Sequence, residues 1–544
     1  LCSRGDLTVG GARRFNAQSP AIAPAIGAAG VGFALESLLT LTVDRASPAA
    51  SVAPGRAARR LFASPALAAA VVFGASLAWT TCVRLPILMR EGMDESFYVE
   101  AAHLWTRGVL PYVGAFDVKP PGYFALLALA QALFGPTLES LRLATILGDA
   151  TTAAALYFIG RRMGSVALGL FAALVSPLLA EFVTNNDCYS ALAALTTLAF
   201  LPAFSSLPIL KRAAAAGLVI GAACTIKQTA AFEAVALLII LLRSSDAAGR
   251  RTLTASAFCL AALAAPLGFV IYFAAHGAVG ALIADTVEFA LMRTDLDQGF
   301  LVGLAQFAPV QRPIAPAVVV AALAILRRRA IEDAAPDSRL DAAAIWFVFT
   351  MFGVLAQHTV YQNYLGPMLS PLILLAGCGA LWALPELARF APGLRLSALG
   401  LVMIATAFAC RVGHFARPLD RQPIAEATRI ILATNPRSDD KLFAIDFGGW
   451  INVATDLAPP TPFFHRMHLL CGFPNAGPPR LAEALAALPR YIVVGAYLKR
   501  HTGCDDVVAW PLLNPALDAS YRLLAHVDGD VQSFDIYEAA SSRD

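Results

Sequence analysis

Apolar and polar positions along this chain are segregated into blocks. From Leu61 to Val412 long apolar runs are broken by short polar gaps, and Arg and Lys cluster in alternate gaps. The first run, about Leu61–Leu88, follows Arg56, Arg59 and Arg60 and is long enough to cross a hydrocarbon core of ~30 Å. Basic residues favour the cytoplasmic side. This run therefore leads outward, into the polar stretch Glu91-Gly92-Met93-Asp94-Glu95-Ser96-Phe97-Tyr98, read as a loop that continues to Asp117-Val118-Lys119-Pro120-Pro121. Gly122–Phe134 comes next. Its 13 residues rise only ~20 Å as a helix, which places it in the outer interface rather than across the bilayer.

Leu141–Ile159 then carries the chain inward to Arg161-Arg162. Val166–Val183 leads out to Thr184-Asn185-Asn186-Asp187, and the next run returns to Lys211-Arg212. Ala213–Ile226 leads out to Lys227-Gln228, and Thr229–Leu242 returns to Arg243, Arg250 and Arg251. Each of these two runs is only ~21 Å long as an ideal helix, so it needs tilt, local thinning or protein cover to serve as a span. Leu253–Ala275, Leu301–Leu326, Ala342–Ala356, Tyr364–Leu384 and Leu396–Val412 continue the alternation. Counting Gly122–Phe134 as a crossing would reverse every later basic cluster. The pattern predicts about eleven spans, a cytoplasmic N-terminus and an extracytoplasmic region after the last span.

That last region has a different texture. Ile424–Leu432 and Leu481–Leu488 read as helices, and Lys441–Phe447 and Arg490–Tyr497 as strands. Tyr521–Val527 and Val531–Tyr537 flank Asp528-Gly529-Asp530, a hairpin turn signal. The fold class is mostly α: a polytopic integral membrane protein with a small soluble α/β C-terminal domain. Residues 1–60 are a low-complexity segment rich in Ala, Gly, Pro and Arg, read as disordered. Residues 61–413 form the multi-helix membrane domain with a large first outer loop at 90–140, and residues 414–544 form the extracytoplasmic domain.

Composition agrees with the pattern. Of 544 residues, 58% are hydrophobic and 15% charged, against roughly 25% charged in ordinary soluble domains. A net charge of +3, scattered among loops, gives no nucleic-acid partner. Cys82, Cys224, Cys259, Cys378 and Cys410 fall in apolar runs and read as inert thiols. Cys471 and Cys504 lie in the polar region, where they could pair in an oxidising compartment.

The polar stretch after the first span concentrates the candidate chemistry. Asp94 and Glu95 are followed by Phe97, Tyr98, Trp105 and Tyr112, and then by Lys119 and Pro120. A carboxylate beside a low-dielectric site can act as a general base, and a second one can divide base and metal-ligand roles with it. Asp187 is a second acid at an outer span end, where Asn and Asp also serve as helix N-caps; the two roles are compatible. Lys119 and Lys227 can each meet a phosphate as a point charge or snorkel to the interface. Asp149 and Glu233 are intramembrane acids, which need partners; an arginine is the natural one for Asp149. His103 and His358 have no second ligand at metal spacing, and Arg293 is a further cation in an outer loop.

The ordered set Asp94-Glu-Ser-Phe-Tyr-Val-Glu-Ala-Ala, Gly108-Val-Leu-Pro-Tyr, Phe116-Asp-Val-Lys-Pro-Pro-Gly-Tyr, Phe134-Gly-Pro, Leu141-Arg-Leu and Gly160-Arg-Arg resembles the GT-C glycosyltransferases. Within them the likeness is to the family 39-like branch, related to protein O-mannosyltransferases and lipid A aminoarabinose transferases. It covers about residues 61–415 and is strongest over 91–165. The resemblance implies a membrane enzyme that transfers a sugar from a polyprenyl-phosphate donor, with inversion, to a lipid, polysaccharide or protein acceptor. It implies Asp94 as the base with Glu95 as its companion and Asp187 as a further acid. Tyr98, Tyr112, Lys119, Pro120, Lys227 and Gln228 become the donor and acceptor contacts. No cofactor is implied with certainty, and a divalent metal ion stays open. Tyr361-Gln362-Asn363-Tyr364 departs from the His-Tyr-Phe often found in relatives. The location that follows is a bacterial inner or plasma membrane. A lipid or solute transporter is the competing reading. It would need inverted repeats with paired broken helices, and none is evident in the sequence. A noncatalytic membrane scaffold presenting the C-terminal domain is the third.

Overall fold

The computed structural model describes residues 65–84, 93–163, 165–183, 187–245, 248–292, 312–327, 340–357, 362–383, 389–411, 421–445, 449–470, 476–495, 510–529 and 533–540. Expectations for residues 1–60, Asn185-Asn186, Arg293, His358, Tyr361, Cys471 and Cys504 lie outside the described residues, and for Asp94 and Asp187 only the backbone is described.

Helices dominate. α1 (Pro65–Arg84), α2 (Met93–Thr106), α3 (Gly122–Phe134), α4 (Leu138–Arg162) and α5 (Val166–Val183) come first. α6 (Asp187–Ala203), α7 (Ile209–Ile226), α8 (Ala230–Arg243) and α9 (Ala248–Ala275) follow. The short α10 (Val279–Ile283) runs into a π-helical turn, Ala284–Phe289. Then come α11 (Ala315–Leu326), α12 (Leu340–Leu355), α13 (Gly366–Cys378, continued by a π-turn to Ala383) and α14 (Pro392–Arg411). Among the described residues six helices are long and apolar enough to cross a membrane: α1, α4, α7, α9, α13 with its flanks, and α14. The chain is a mostly helical, polytopic membrane protein carrying one small sheet.

Burial separates the centre of this bundle from its rim. The stretch Asn363–Ala383 is 94% buried and Ala248–Ala275 only 11%, so α13 is the axis and α9 faces outward. Leu253, Leu260 and Ile271 on α9 are exposed. Such a surface suits hydrocarbon, where all backbone bonds must close within the helix.

Two elements differ from the pattern-based reading. α7 begins at Ile209 and has 18 residues, which removes the need for tilt or thinning; Lys211-Arg212 lie inside its first turn rather than ahead of it. The polar stretch around Asp94 is helix, not loop. Its polar residues hide an apolar series at helical spacing, Phe97, Ala101 and Leu104, all buried. Glu95, Ser96 and Glu100 are buried too, because α2 is covered on more than one side and so lacks the solvated face that would mark an amphipathic helix.

The cover comes partly from the C-terminal residues. α15 (Arg421–Ala433), β1 (Leu442–Ile445), α16 (Gly449–Thr455), α17 (Arg466–Leu470) and α18 (Pro478–Ala486) precede β2 (Tyr491–Gly495). α19 (Trp510–Ser520), β3 (Tyr521–Val527) and β4 (Phe534–Ala539) follow among the described residues. The sheet order is β1-β2-β4-β3. β1 and β2 are parallel, and β4 pairs antiparallel with both β2 and β3. Successive strand residues point to opposite faces. Phe443, Ile445, Ile492 and Val494 pack with Leu481, Leu513 and Leu517, whereas Leu442, Ala444, Tyr491 and Val493 pack with Ala427 and Ile431. Helices on both faces explain why β1 and β2 read as unbroken apolar runs.

α16 seats this region on α2. A Cβ on Gly449 would stand 2.2 Å from the Ser96 carbonyl oxygen, so glycine is what permits the backbones to meet. Asp456, just beyond α16, takes His103 Nε2 at 3.0 Å and Arg107 Nη1 at 2.9 Å, and the Phe116 amide donates to the Pro462 carbonyl at 3.0 Å. Overpacking of this kind costs about 1–3 kcal/mol. The Gly449→Val variant is therefore expected to loosen the seat, release Arg107 from Asp456 and speed tryptic cleavage after Arg107, read by mapping the fragments; an unchanged digest would refute the contact's importance.

Candidate active site

The site forms where α2, the turn before α3, the α7–α8 junction and the C-terminal residues meet. Arg142 on α4 reaches Glu95 with Nη2 to Oε2 at 2.6 Å, and Glu95 is buried. A buried carboxylate needs such a partner to stay ionised. Tyr98, two turns before the end of α2, is buried edge-on to Tyr123 at 5.3 Å.

The turn from Tyr112 to Pro121 is tightly determined. Tyr112 has φ 70°, a left-handed conformation uncommon for a non-glycine residue. Its amide donates to the Ala115 carbonyl at 2.8 Å and its hydroxyl to the Lys119 carbonyl at 2.7 Å. Asp117 accepts the Lys119 amide at 2.9 Å and lies 3.5 Å from the Lys119 ammonium, which sits 4.8 Å above the Tyr98 ring. Pro120 is buried. Gly122 starts α3 against the end of α7: a Cβ there would stand 2.6 Å from the Thr225 carbonyl oxygen.

Lys227 caps the C-terminus of α7 in an extended conformation, where a cation complements the helix dipole. Its ammonium lies 4.4 Å from the Tyr189 ring centre and 4.2 Å from that of Tyr364, and donates to the Tyr189 hydroxyl. Lys227 is only 8% exposed, so a snorkelling role does not describe it. Gln228 donates from Nε2 to the Val118 carbonyl at 2.8 Å and to the Thr286 carbonyl at 3.1 Å. The neighbour of one lysine thus holds the turn that carries the other. Tyr112 and Gln228, expected as substrate contacts, make these hydrogen bonds to the protein's own backbone.

Tyr189 and Tyr364 were not among the predicted site residues. Tyr189 stands two residues after Asp187, and Tyr364 closes the segment that departs from the family pattern, so the only signal was proximity. Arg142 was visible only as part of Leu141-Arg-Leu. The two predicted intramembrane acids have structural partners: Asp149 pairs with Arg84, as an intramembrane acid requires, and Glu233 accepts the Trp346 indole at 3.0 Å. Among the described residues no three His, Cys, Asp or Glu side chains converge as a ligand set. His103 is taken by Asp456.

Beneath the turn lies a charged junction with the C-terminal residues. Phe97 meets Phe464, His465 and His468, and Phe116 meets Phe463 and His468. Arg480 covers the Phe463 ring at 3.9 Å. Burial pushes the Asp285 carboxyl up to about 8, Asp117 adds to that rise, and Arg480 opposes it. Burial raises the Tyr112 phenol well above its usual range, with Asp117 and Asp285 acting the same way. Burial likewise raises the Glu100 carboxyl, and among the described residues its Oε2 has no hydrogen-bond partner.

The Asp285 shift has a definite sign. Its ordinary value is 3.8, so between about pH 4 and 8 the folded state holds a proton that the unfolded chain has released, and stability falls as pH rises through that window. Asn imitates the protonated acid. The melting temperature of Asp285→Asn in nanodiscs is expected to equal wild type near pH 4 and to exceed it increasingly up to pH 8. A difference that does not change with pH would contradict the shift.

Residues 118–274 match the family described as dolichyl-phosphate-mannose-protein mannosyltransferase. No curated protein sequence matches the chain significantly. Among solved structures the fold is similar to that of ArnT from Cupriavidus metallidurans bound to undecaprenyl phosphate, with a TM-score of 0.59 at 14% identity, over 88% of this chain and 99% of that one. The apo form of ArnT is similar at a TM-score of 0.58, with the same identity and coverage. The oligosaccharyltransferase AglB from Archaeoglobus fulgidus, in complex with an inhibitory peptide and a dolichol-phosphate, gives a TM-score of 0.46 at 11% identity, over 88% of this chain and 74% of that one. The family match spans the Lys119 turn and the Lys227 junction, and with the ArnT-like fold it supports a likeness to the GT-C membrane glycosyltransferases.

Proposed function

We propose that this enzyme transfers a sugar from a polyprenyl-phosphate donor to an acceptor at the extracytoplasmic face of a bacterial plasma membrane. The observation that carries the reading is the pair of aromatic-framed lysines, Lys119 over Tyr98 and Lys227 between Tyr189 and Tyr364. Lys119 stands over Tyr98 of the helix that begins at Met93 and bears Asp94, and Gln228 ties the Lys227 junction to the Lys119 turn. Compact ammonium groups in a partly dry site suit a lipid phosphate. ArnT, which shares the fold, was solved with undecaprenyl phosphate.

In this reading Asp94 takes the proton of the acceptor hydroxyl or amine. The freed lone pair attacks the anomeric carbon, and the bond from that carbon to the phosphate oxygen breaks. The electron pair leaves on the lipid phosphate, where Lys227 or Lys119 stabilises it. One displacement gives inversion. Glu95, held by Arg142, keeps the first turn of α2 in register, and Asp187, at the start of α6, is a further acid as well as a helix-starting residue. Eleven spans, a cytoplasmic N-terminus and an extracytoplasmic sheet domain belong to the same reading, since they put the Lys119 turn outside.

The test uses membranes carrying the full chain, incubated with a panel of labelled undecaprenyl-phosphate sugars and native envelope extract as acceptor. Undecaprenyl phosphate release that depends on the extract supports transfer. A general base contributes roughly 10²–10⁴-fold, so Asp94→Asn is expected to lose at least 100-fold in turnover while still binding undecaprenyl phosphate. Lys227→Gln is expected to weaken that binding. Unchanged turnover in Asp94→Asn would remove it from the mechanism.

A further inference from the structure

We infer that Arg84 is a positioning residue, which with Asp149, Glu181 and the Glu95–Arg142 pair pins both ends of the stretch leading to Asp94. The inference rests on the transfer reading above. It starts from geometry that reading does not use. Arg84, the last residue of α1, donates from Nε and Nη2 to one oxygen of Asp149 on α4, at 2.8 and 2.6 Å, and from Nη1 to Glu181 on α5 at 3.0 Å. All three residues are buried. Seven residues before Asp149 on the same helix, Arg142 holds Glu95. Seven residues are two turns and ~10.5 Å, so Arg142 and Asp149 share one face of α4.

One helix face therefore grips the chain twice, with opposite polarity: an acid holds Arg84 before the stretch, and an arginine holds Glu95 immediately after Asp94. Glu181 brings in α5, two residues before its end and six before Asp187, the residue that opens α6. The same guanidinium thus ties the approaches to both candidate acids. Each charge also suits its place, a cation in the last turn of α1 and a carboxylate in the first turn of α2.

A buried ion cluster is weak evidence for stability, since well-packed apolar residues often do as well. What a guanidinium adds is direction. Its planar fork fixes two carboxylates at set angles, which a lysine ammonium does not do. Misplacing a reacting group by ~1 Å can cost about 100-fold in rate, so a rigid tie on this stretch has a catalytic use that mere packing lacks.

Full-length Arg84→Lys, Arg84→Met and Glu181→Gln in nanodiscs test the inference with three readouts: hydrogen exchange, undecaprenyl phosphate affinity, and kcat with whichever donor the wild type turns over. The amides of Phe97–Val99 bond to carbonyls at 93–95 in the first turn of α2. In Arg84→Met they are expected to exchange about tenfold faster or more, with α3 and α13 unchanged. Undecaprenyl phosphate affinity should stay within about threefold, while kcat falls about 100-fold. Arg84→Lys should restore the exchange rates in part and leave kcat at least about tenfold down. Glu181→Gln keeps the Arg84–Asp149 pair and serves if Arg84→Met does not fold. It should speed exchange of Ala191–Ala193 in the first turns of α6 and lower kcat with affinity retained. Unchanged exchange in these turns, or faster exchange in α3 and α13 as well, overturns the positioning role. If the wild type turns over no polyprenyl donor, the transfer reading fails instead, and the exchange arm still decides whether the tie exists.

Discussion

A charge taken out of water must be met by another, and this fold depends on where those meetings occur. In the described residues α4 supplies two of them, Asp149 to Arg84 and Arg142 to Glu95. Dehydrating each ion costs several kcal/mol, and an orphaned partner leaves that cost uncompensated. The penalty makes the pairing specific: α1, α2 and α5 cannot slide along α4 without stripping a charge of its partner. An apolar interface tolerates such slippage far better, because burial is non-directional.

The end of the bundle that carries the Lys119 turn extends this logic to aromatic partners. Lys227 lies among two tyrosine rings and a hydroxyl, and Lys119 is framed by Tyr98 and Asp117. Rings attract a cation without neutralising it, and the proposed phosphate contact rests on that property. The C-terminal residues complete the enclosure through Gly449 on Ser96, Asp456 on His103 and Arg107, and the aromatic cluster around Phe97 and Phe116. Excluding water from that side strengthens every electrostatic contact inside.

Much of this was legible in the chain. The apolar blocks located the helices well: Gly122–Phe134 and Val166–Val183 coincide with α3 and α5. The β3 boundaries were also read as they stand, and β4 begins three residues later than the pattern suggested, at Phe534. The pairing need of Asp149 was readable from its place in an apolar run. α2 was misread because its polar residues are buried against α4 as well as the C-terminal region, so neither composition nor amphipathicity betrays the helix. The start of α7 was misplaced because Lys211-Arg212 were taken as a boundary, whereas long basic side chains can extend from a helix end toward water.

The sequence by itself determined the mostly helical, polytopic membrane class and named the candidate groups. Apolar run length is set by bilayer thickness, and the ordered motifs from Asp94 to Arg162 are local in the chain. Only the tertiary structure decided which group serves which. It gave Glu95 to Arg142, bonded Tyr112 and Gln228 to the backbone of the Lys119 turn, framed Lys227 with Tyr189 and Tyr364, and joined Arg84 to residues 65 and 97 positions away. Those choices rest on distances between residues far apart in the chain, and a buried charge selects its partner by proximity in space, which no spacing along a sequence encodes.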